Sequence, residues 1–115
     1  MKRKELNKIL DGGEIHFDRK YLKEHLPSDA VYLGSIEYVD PYRPTQGSVT
    51  SFYYSPKWDI YLEAFYYYGM KWGDNYIKKT TLSQIYKELE DEDAEIDEES
   101  CKKYAPSLLE LEEEI

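Results

Sequence analysis

The spacing of apolar residues changes several times along the chain. In "KRKELNKIL", residues 2–10, Leu6, Ile9 and Leu10 fall on one side of a short helix, and the following "DGG" supplies a stop, since glycine enters backbone states closed to other residues. "FDRKYLKEHLP" predicts a second helix capped by Asp18, with Tyr21, Leu22 and Leu26 docking and Pro27 ending it. Residues 14–17 could instead contribute a brief strand.

From Ala30 the pattern shifts to alternation. "AVYLGSIEYV" and "SVTSFYY" predict a hairpin whose connection, "DPYRPTQG", is interrupted by two prolines and a glycine. "DIYLEAFYYY" predicts a third strand, with Ile60, Leu62, Ala64, Tyr66 and Tyr68 on one face and Tyr61, Glu63, Phe65 and Tyr67 on the other. Tyr61, Phe65 and Tyr68 also fit a helix, but aromatic residues pack well across strands, which favours the sheet. "GMKWGDN" then turns the chain into a short strand at "YIKK". In "TLSQIYKEL", Thr81 stands three residues before Gln84 in a capping-box arrangement, and Leu82, Ile85, Tyr86 and Leu89 make a helical stripe that needs the sheet as its mate. Ser107 and Glu110 offer another box, opening a terminal helix lined by Leu108, Leu111 and Ile115. The expected fold class is α+β: a small antiparallel sheet with short N-terminal helices and one or two C-terminal helices packed against it. With 115 residues and no internal repeat, one domain spanning 1–115 is expected.

Two features stand apart from this framework. Residues 51–72, "SFYYSPKWDIYLEAFYYYGMKW", hold ten aromatics in 22 positions, including both tryptophans. Strand alternation divides them: Tyr66 and Tyr68 toward a core, Tyr67 and Tyr61 toward contact, with Trp58 and Trp72 docking across sheet edges. Tyr53, Tyr61 and Tyr67 are the candidate binding aromatics, since large rings with a polar tip suit interfaces. The second feature is acidic. Glu88, Glu90, Asp91, Glu92, Asp93, Glu95, Asp97, Glu98 and Glu99 place nine carboxylates within twelve residues. Residues 1–79 carry 12 basic and 11 acidic side chains and residues 80–115 carry three and thirteen, so nearly all of the net charge of −9 belongs to the last third.

Such a field opposes direct binding to phosphates, which needs a concentrated cationic face, and favours a basic partner. Lys2, Arg3, Lys4 and Lys8 make only a small basic patch, and no zinc-finger spacing or paired RNP pattern is present. The acidic segment superficially alternates oxygen donors, but an EF-hand starting at Asp91 would have Ile96 at its glycine turn and Lys102 at its final carboxylate, so no metal site is expected. His16 and His25 do not form an HExxH helix, Ser35 lies in "LGSIE" rather than a nucleophile elbow, and no glycine-rich phosphate loop occurs. Cys101, the only cysteine, has no nearby activating histidine and reads as a structural thiol. The one economical catalytic pair is Glu37 with Glu63, an acid and a base for carbohydrate chemistry beside Trp58 and Tyr61.

The resulting expectation is a noncatalytic, cofactor-free interaction protein, without secretory signal or membrane span and hence cytoplasmic, that binds a basic protein surface. Carboxylates offered where phosphates bind would let it occupy the channel of a nucleic-acid-processing or defence enzyme. In general character it resembles the small acidic proteins by which bacteriophages inactivate such enzymes, although no motif identifies a family and no site is carried over. The alternatives are a carbohydrate-binding module built on exposed aromatics, and a small acidic structural subunit of a larger complex.

Overall fold

The structure, a computed structural model, describes residues 1–18, 22–69 and 74–112. It is α+β, built on a six-stranded antiparallel sheet. The elements run α1 (Arg3–Leu10), β1 (Glu14–His16), α2 (Leu22–His25), β2 (Val31–Val39), β3 (Gly47–Ser55), β4 (Ile60–Tyr68), β5 (Tyr76–Thr80), α3 (Leu82–Glu88), β6 (Ala94–Ile96), α4 (Glu98–Tyr104) and a 3-10 helix, Pro106–Glu112. Strands are ordered β1-β5-β4-β3-β2-β6, so β2 to β5 form a meander and two three-residue strands occupy the edges.

Alternation along β4 assigns the two faces as the sequence predicts. Ile60, Leu62 and Ala64 point toward α1 and α2, where they join Leu6, Ile9, Ile15, Phe17, Leu26 and Ile77 in one core. Tyr61, one residue out of phase, joins the opposite core, where Leu33 and Phe52 meet Ile85 and Leu89 of the α3 region, then Cys101, Ala105 and Leu108. The sheet is therefore the middle of three layers. A β-bulge lets β2 serve this arrangement: the register with β3 shifts between Tyr32 and Gly34, and the extra residue, Leu33, is fully buried against α4.

Both helical layers cover the same end of the sheet. Beyond Ala64 the strands run on past them, and Tyr38 and Val39 of β2 are 64% and 44% exposed. The loop between β2 and β3 sits at this far end and holds Tyr42 at 92% exposure, although Asp40 fixes its backbone by accepting from the Tyr42 N–H at 2.9 Å.

Residues 14–16 form the brief strand that this stretch offered as its alternative, pairing Ile15 with Ile77, because Ile15 has a core to fill there. Several other local expectations need correction. The second helix is a single turn, Leu22–His25, while Tyr21 lies outside the described residues. Leu10 is exposed, since α1 rests on the sheet through Leu6 and Ile9. Thr81 caps α3 by accepting from Gln84 N, but the Gln84 side chain donates to Glu88 at 3.1 Å instead of returning to the cap, so only half of the box forms. The C-terminal apolar stripe is carried by a 3-10 helix that buries Leu108; Ile115 is outside the described residues. Trp58 sits in the β3–β4 turn, 43% exposed with the Lys57 ammonium 5.3 Å from its ring, rather than across a sheet edge, and Trp72 is not among the described residues.

Candidate functional site: an acidic edge beside a bare sheet end

The acidic segment is ordered into distinct local roles. Glu88 ends α3, and Glu90, Asp91, Glu92 and Asp93 form the turn that follows. Asp91 shapes this turn: its carboxylate accepts from Asp93 N at 2.9 Å and its carbonyl from Ala94 N at 3.1 Å. The chain is thereby delivered to the edge of β2, where Ala94, Glu95 and Ile96 pair with Ile36, Ser35 and Gly34. Gly34 is required at this crossing, since a Cβ there would stand 2.5 Å from the Glu95 carbonyl oxygen. Asp97 then caps α4 by accepting from Ser100 N at 3.1 Å, and Glu98 and Glu99 occupy the first turn, where carboxylates suit the positive helix end.

The nine predicted carboxylates therefore do not act as one strip. Asp97 is committed to its cap and Glu88 to Gln84, whereas Glu90, Asp91, Glu92, Asp93 and Glu95 are exposed along the β6 edge. Crowding persists further along, where a hydrogen bond to Glu98 raises the Glu112 carboxyl. One groove of about 640 Å³ brings part of this edge together with the bare sheet end. Its carboxylates come from Glu37, Asp93 and Glu95, and its apolar wall from Tyr38, Val39 and Val49. On the other side of the acidic turn, a basin of about 950 Å³ has Leu89, Ile96 and Leu111 between Glu90, Glu92 and Glu110.

The three predicted binding aromatics do not share a face. Tyr53 lies toward the N-terminal layer, half-buried against its core, with its ring 5.8 Å from Tyr32. Tyr61 and Tyr67 lie on the opposite face. Tyr61 donates its hydroxyl to the Tyr104 carbonyl at 3.2 Å and packs 4.8 Å from Tyr54, which makes it part of the C-terminal layer. Tyr67 sets its ring perpendicular to Phe65, and Phe65 stacks on Tyr76. These rings turn their faces to one another rather than lying in a flat row for a sugar. The aromatics that project freely are Tyr38 and Tyr42, which the sequence reading passed over; Tyr42 stands between two prolines in a loop with no packing layer, a signal that was present.

The remaining chemistry is paired internally. Glu63 is buried, 3.6 Å from the Lys78 ammonium and within 3.3 Å of the Tyr76 hydroxyl. Burial, with the charge of Glu63 and the hydrogen bond to it, pushes the Tyr76 phenol up to about 12. The hydrogen bond to Asp59 and partial desolvation likewise raise Tyr54 to about 12, so both remain donors at neutral pH. Glu37 and Glu63 lie on opposite faces, as their ladder partners Val49 and Phe52 do, so they cannot flank one glycosidic bond. His16 meets Asp74 at 2.6 Å on the far β1 edge, and His25 meets Glu5 at 2.7 Å beneath α1. Cys101 is buried, its Sγ donating to the Leu33 carbonyl at 3.3 Å; burial, with nearby Asp97 and Glu112, lifts the thiol to about 11. Among the described residues, no group of three or more His, Cys, Asp or Glu side chains is placed to hold a metal ion, and no helix is long and apolar enough to cross a membrane.

Comparison with protein-family models, curated proteins and solved structures found no match to this chain.

Proposed function

We propose that this protein is a noncatalytic interaction module whose β2–β6 edge binds a basic protein surface, and that its target is the phosphate-binding surface of a nucleic-acid-processing enzyme. The observation that supports this reading most directly is the groove in which Glu37, Asp93 and Glu95 stand beside exposed Tyr38 and Val39. Long-range attraction and a desolvating contact are thus adjacent, so one partner meets both. The carboxylates accelerate encounter, and the apolar residues slow dissociation. Charge is also sorted across the sheet, with Lys2, Arg3, Lys4 and Lys8 in or just before α1, Lys79 of β5 donating to the Leu10 carbonyl beside it, and the acidic turn at the opposite edge. That polarity orients the approach of a basic surface.

The test is capture with the native chain and with the triple variant E37K/D93K/E95K. The expected partner is enriched only by the native chain, is displaced by oligonucleotide, and associates roughly an order of magnitude more slowly with the variant at low salt. Unchanged capture and association by the variant would remove this surface from the function.

A further inference from the structure

The turn joining β3 to β4 lies at the end of the sheet opposite the β2–β3 loop, and it holds an exposed ring on a costly backbone. Trp58 is 43% exposed, and Asp59, which follows it, has a φ of 50°, a left-handed state unfavourable for a residue with a Cβ. Polar contacts from three directions keep the turn in this state. Asp29 accepts from Ser55 Oγ at 2.9 Å and from Lys57 N at 2.8 Å, while Ser55 Oγ accepts from Trp58 N at 3.4 Å. Asp59 accepts from the Tyr54 hydroxyl at 2.6 Å. Asp29 is itself placed by a turn in which Ala30 N donates to the Pro27 carbonyl at 3.0 Å. Strain that its surroundings hold in place is a mark of binding sites, where the pre-set backbone lowers the ordering cost of a ligand.

Between this turn and α1 lies a pocket of about 390 Å³. Leu6, Pro27 and Trp58 give it apolar walls, and Arg3 and Lys57 bring positive charge from two different elements. Among the described residues the ion pairs engage His16, His25 and Lys78, so neither Arg3 nor Lys57 is neutralised by a carboxylate contact. Asp29, the acidic residue of the lining, turns both oxygens to the β3–β4 turn. From this geometry we infer a binding site for a small organic anion that carries a flat ring. The ring lies against Trp58 and the apolar walls, and the anionic group is held by Arg3 and Lys57. The volume is at the small end of the range for small-molecule sites, about 300–1,000 Å³. A net charge of −9 opposes a long polyanion, so the two cations suit a compact ligand rather than a nucleic-acid strand. Nucleoside monophosphates and aromatic carboxylates share the required chemistry. The site is separate from the acidic edge and stands independently of the interaction reading.

The test titrates adenosine monophosphate, naphthoate, adenosine and inorganic phosphate separately into the full chain and follows amide and indole NMR shifts. The first two join a ring to an anion, adenosine lacks the charge, and phosphate lacks the ring. Saturable shifts of the Trp58 indole and of the Arg3 and Lys57 amides are expected with at least one ring-bearing anion, roughly tenfold or more tighter than with adenosine or phosphate. Which of the two binds assigns the anionic group as phosphate or carboxylate. Arg3→Gln should weaken that binding roughly tenfold, as for a lost charge-assisted hydrogen bond, and Trp58→Ala should weaken it through loss of the ring contact. No saturable shift with either ring-bearing anion would overturn the site. Equal affinity for adenosine or phosphate alone, or affinity unchanged in either variant, would overturn it as well. The four probes on the native chain keep the test decisive should a variant unfold.

Discussion

Leu108 fixes the C-terminal layer to the sheet, and Leu108→Ala measures how firmly the acidic edge is held. The side chain is fully buried among Leu33, Phe52, Ile85, Cys101 and Ala105. Removing it forfeits a transfer contribution of about 1.5–3 kcal/mol, and an uncollapsed cavity would carry the total to about 5 kcal/mol. The site lies in a one-element 3-10 helix near the end of the described chain, where the backbone has freedom to settle into the gap. The expected loss is therefore in the lower part of that range, about 2–3 kcal/mol, against a total stability of about 5–15 kcal/mol for a domain of this size. Thermal melting should shift by roughly 6–15 °C, and hydrogen exchange should quicken at the β6 amides before those of β4. A loss below about 1 kcal/mol, with β6 protection unchanged, would mean that Leu108 anchors nothing and would refute the three-layer account of the acidic segment.

Other expectations follow from individual pairs. Burial opposes ionisation of Glu5, yet hydrogen bonds with His25 and Lys2 N outweigh it and lower the carboxyl below 4.5; its contribution to stability is present above that value and is lost as pH falls through the depressed native one. Glu5→Gln should accordingly narrow its stability deficit on acidification, and a deficit independent of pH in denaturant titrations would refute this. Asp97→Ala should cost about 1 kcal/mol through loss of the α4 cap, with Asp97→Ser retaining most of it; equal losses in urea melts would assign the effect elsewhere. Cys101, buried and with its thiol raised to about 11, should react with a thiol reagent only as fast as the fold opens, and immediate labelling at mildly alkaline pH would contradict its placement.

The sheet was legible where strand-forming residues were dense. In residues 59–68 the density of aromatic and β-branched residues, more than any strict alternation, favoured a strand and so assigned both faces of β4, and the prolines and glycine of residues 40–47 marked the hairpin connection. β6 escaped because its signal is two small apolar positions, Ala94 and Ile96, amid carboxylates, and because the strand exists only where Gly34 lets it approach. α4 announced itself through Asp97 before Ser100, but a capping carboxylate looks like any other member of an acidic run. For the candidate site, charge located the edge, whereas exposure chose among the aromatics. Tyr61 and Tyr38 are the same residue type in the same kind of strand; what separates them is how far the helical layers extend, which depends on packing of residues distant in sequence.

The bulge in β2 has a consequence for how this gene product tolerates insertion and deletion. Leu33 and Gly34 together stand opposite Phe52, so excising Gly34 would bring Leu33 opposite Phe52 and leave every pairing downstream, from Ser35 with Ser51 onward, in frame. A deletion in mid-strand would ordinarily exchange the two faces of everything that follows, and here it would not. What it would remove is the only Cβ-free position at the crossing of Glu95 and Ile96. One residue thus separates two inheritable properties, a hairpin that survives the loss and an acidic edge whose seat on the sheet does not.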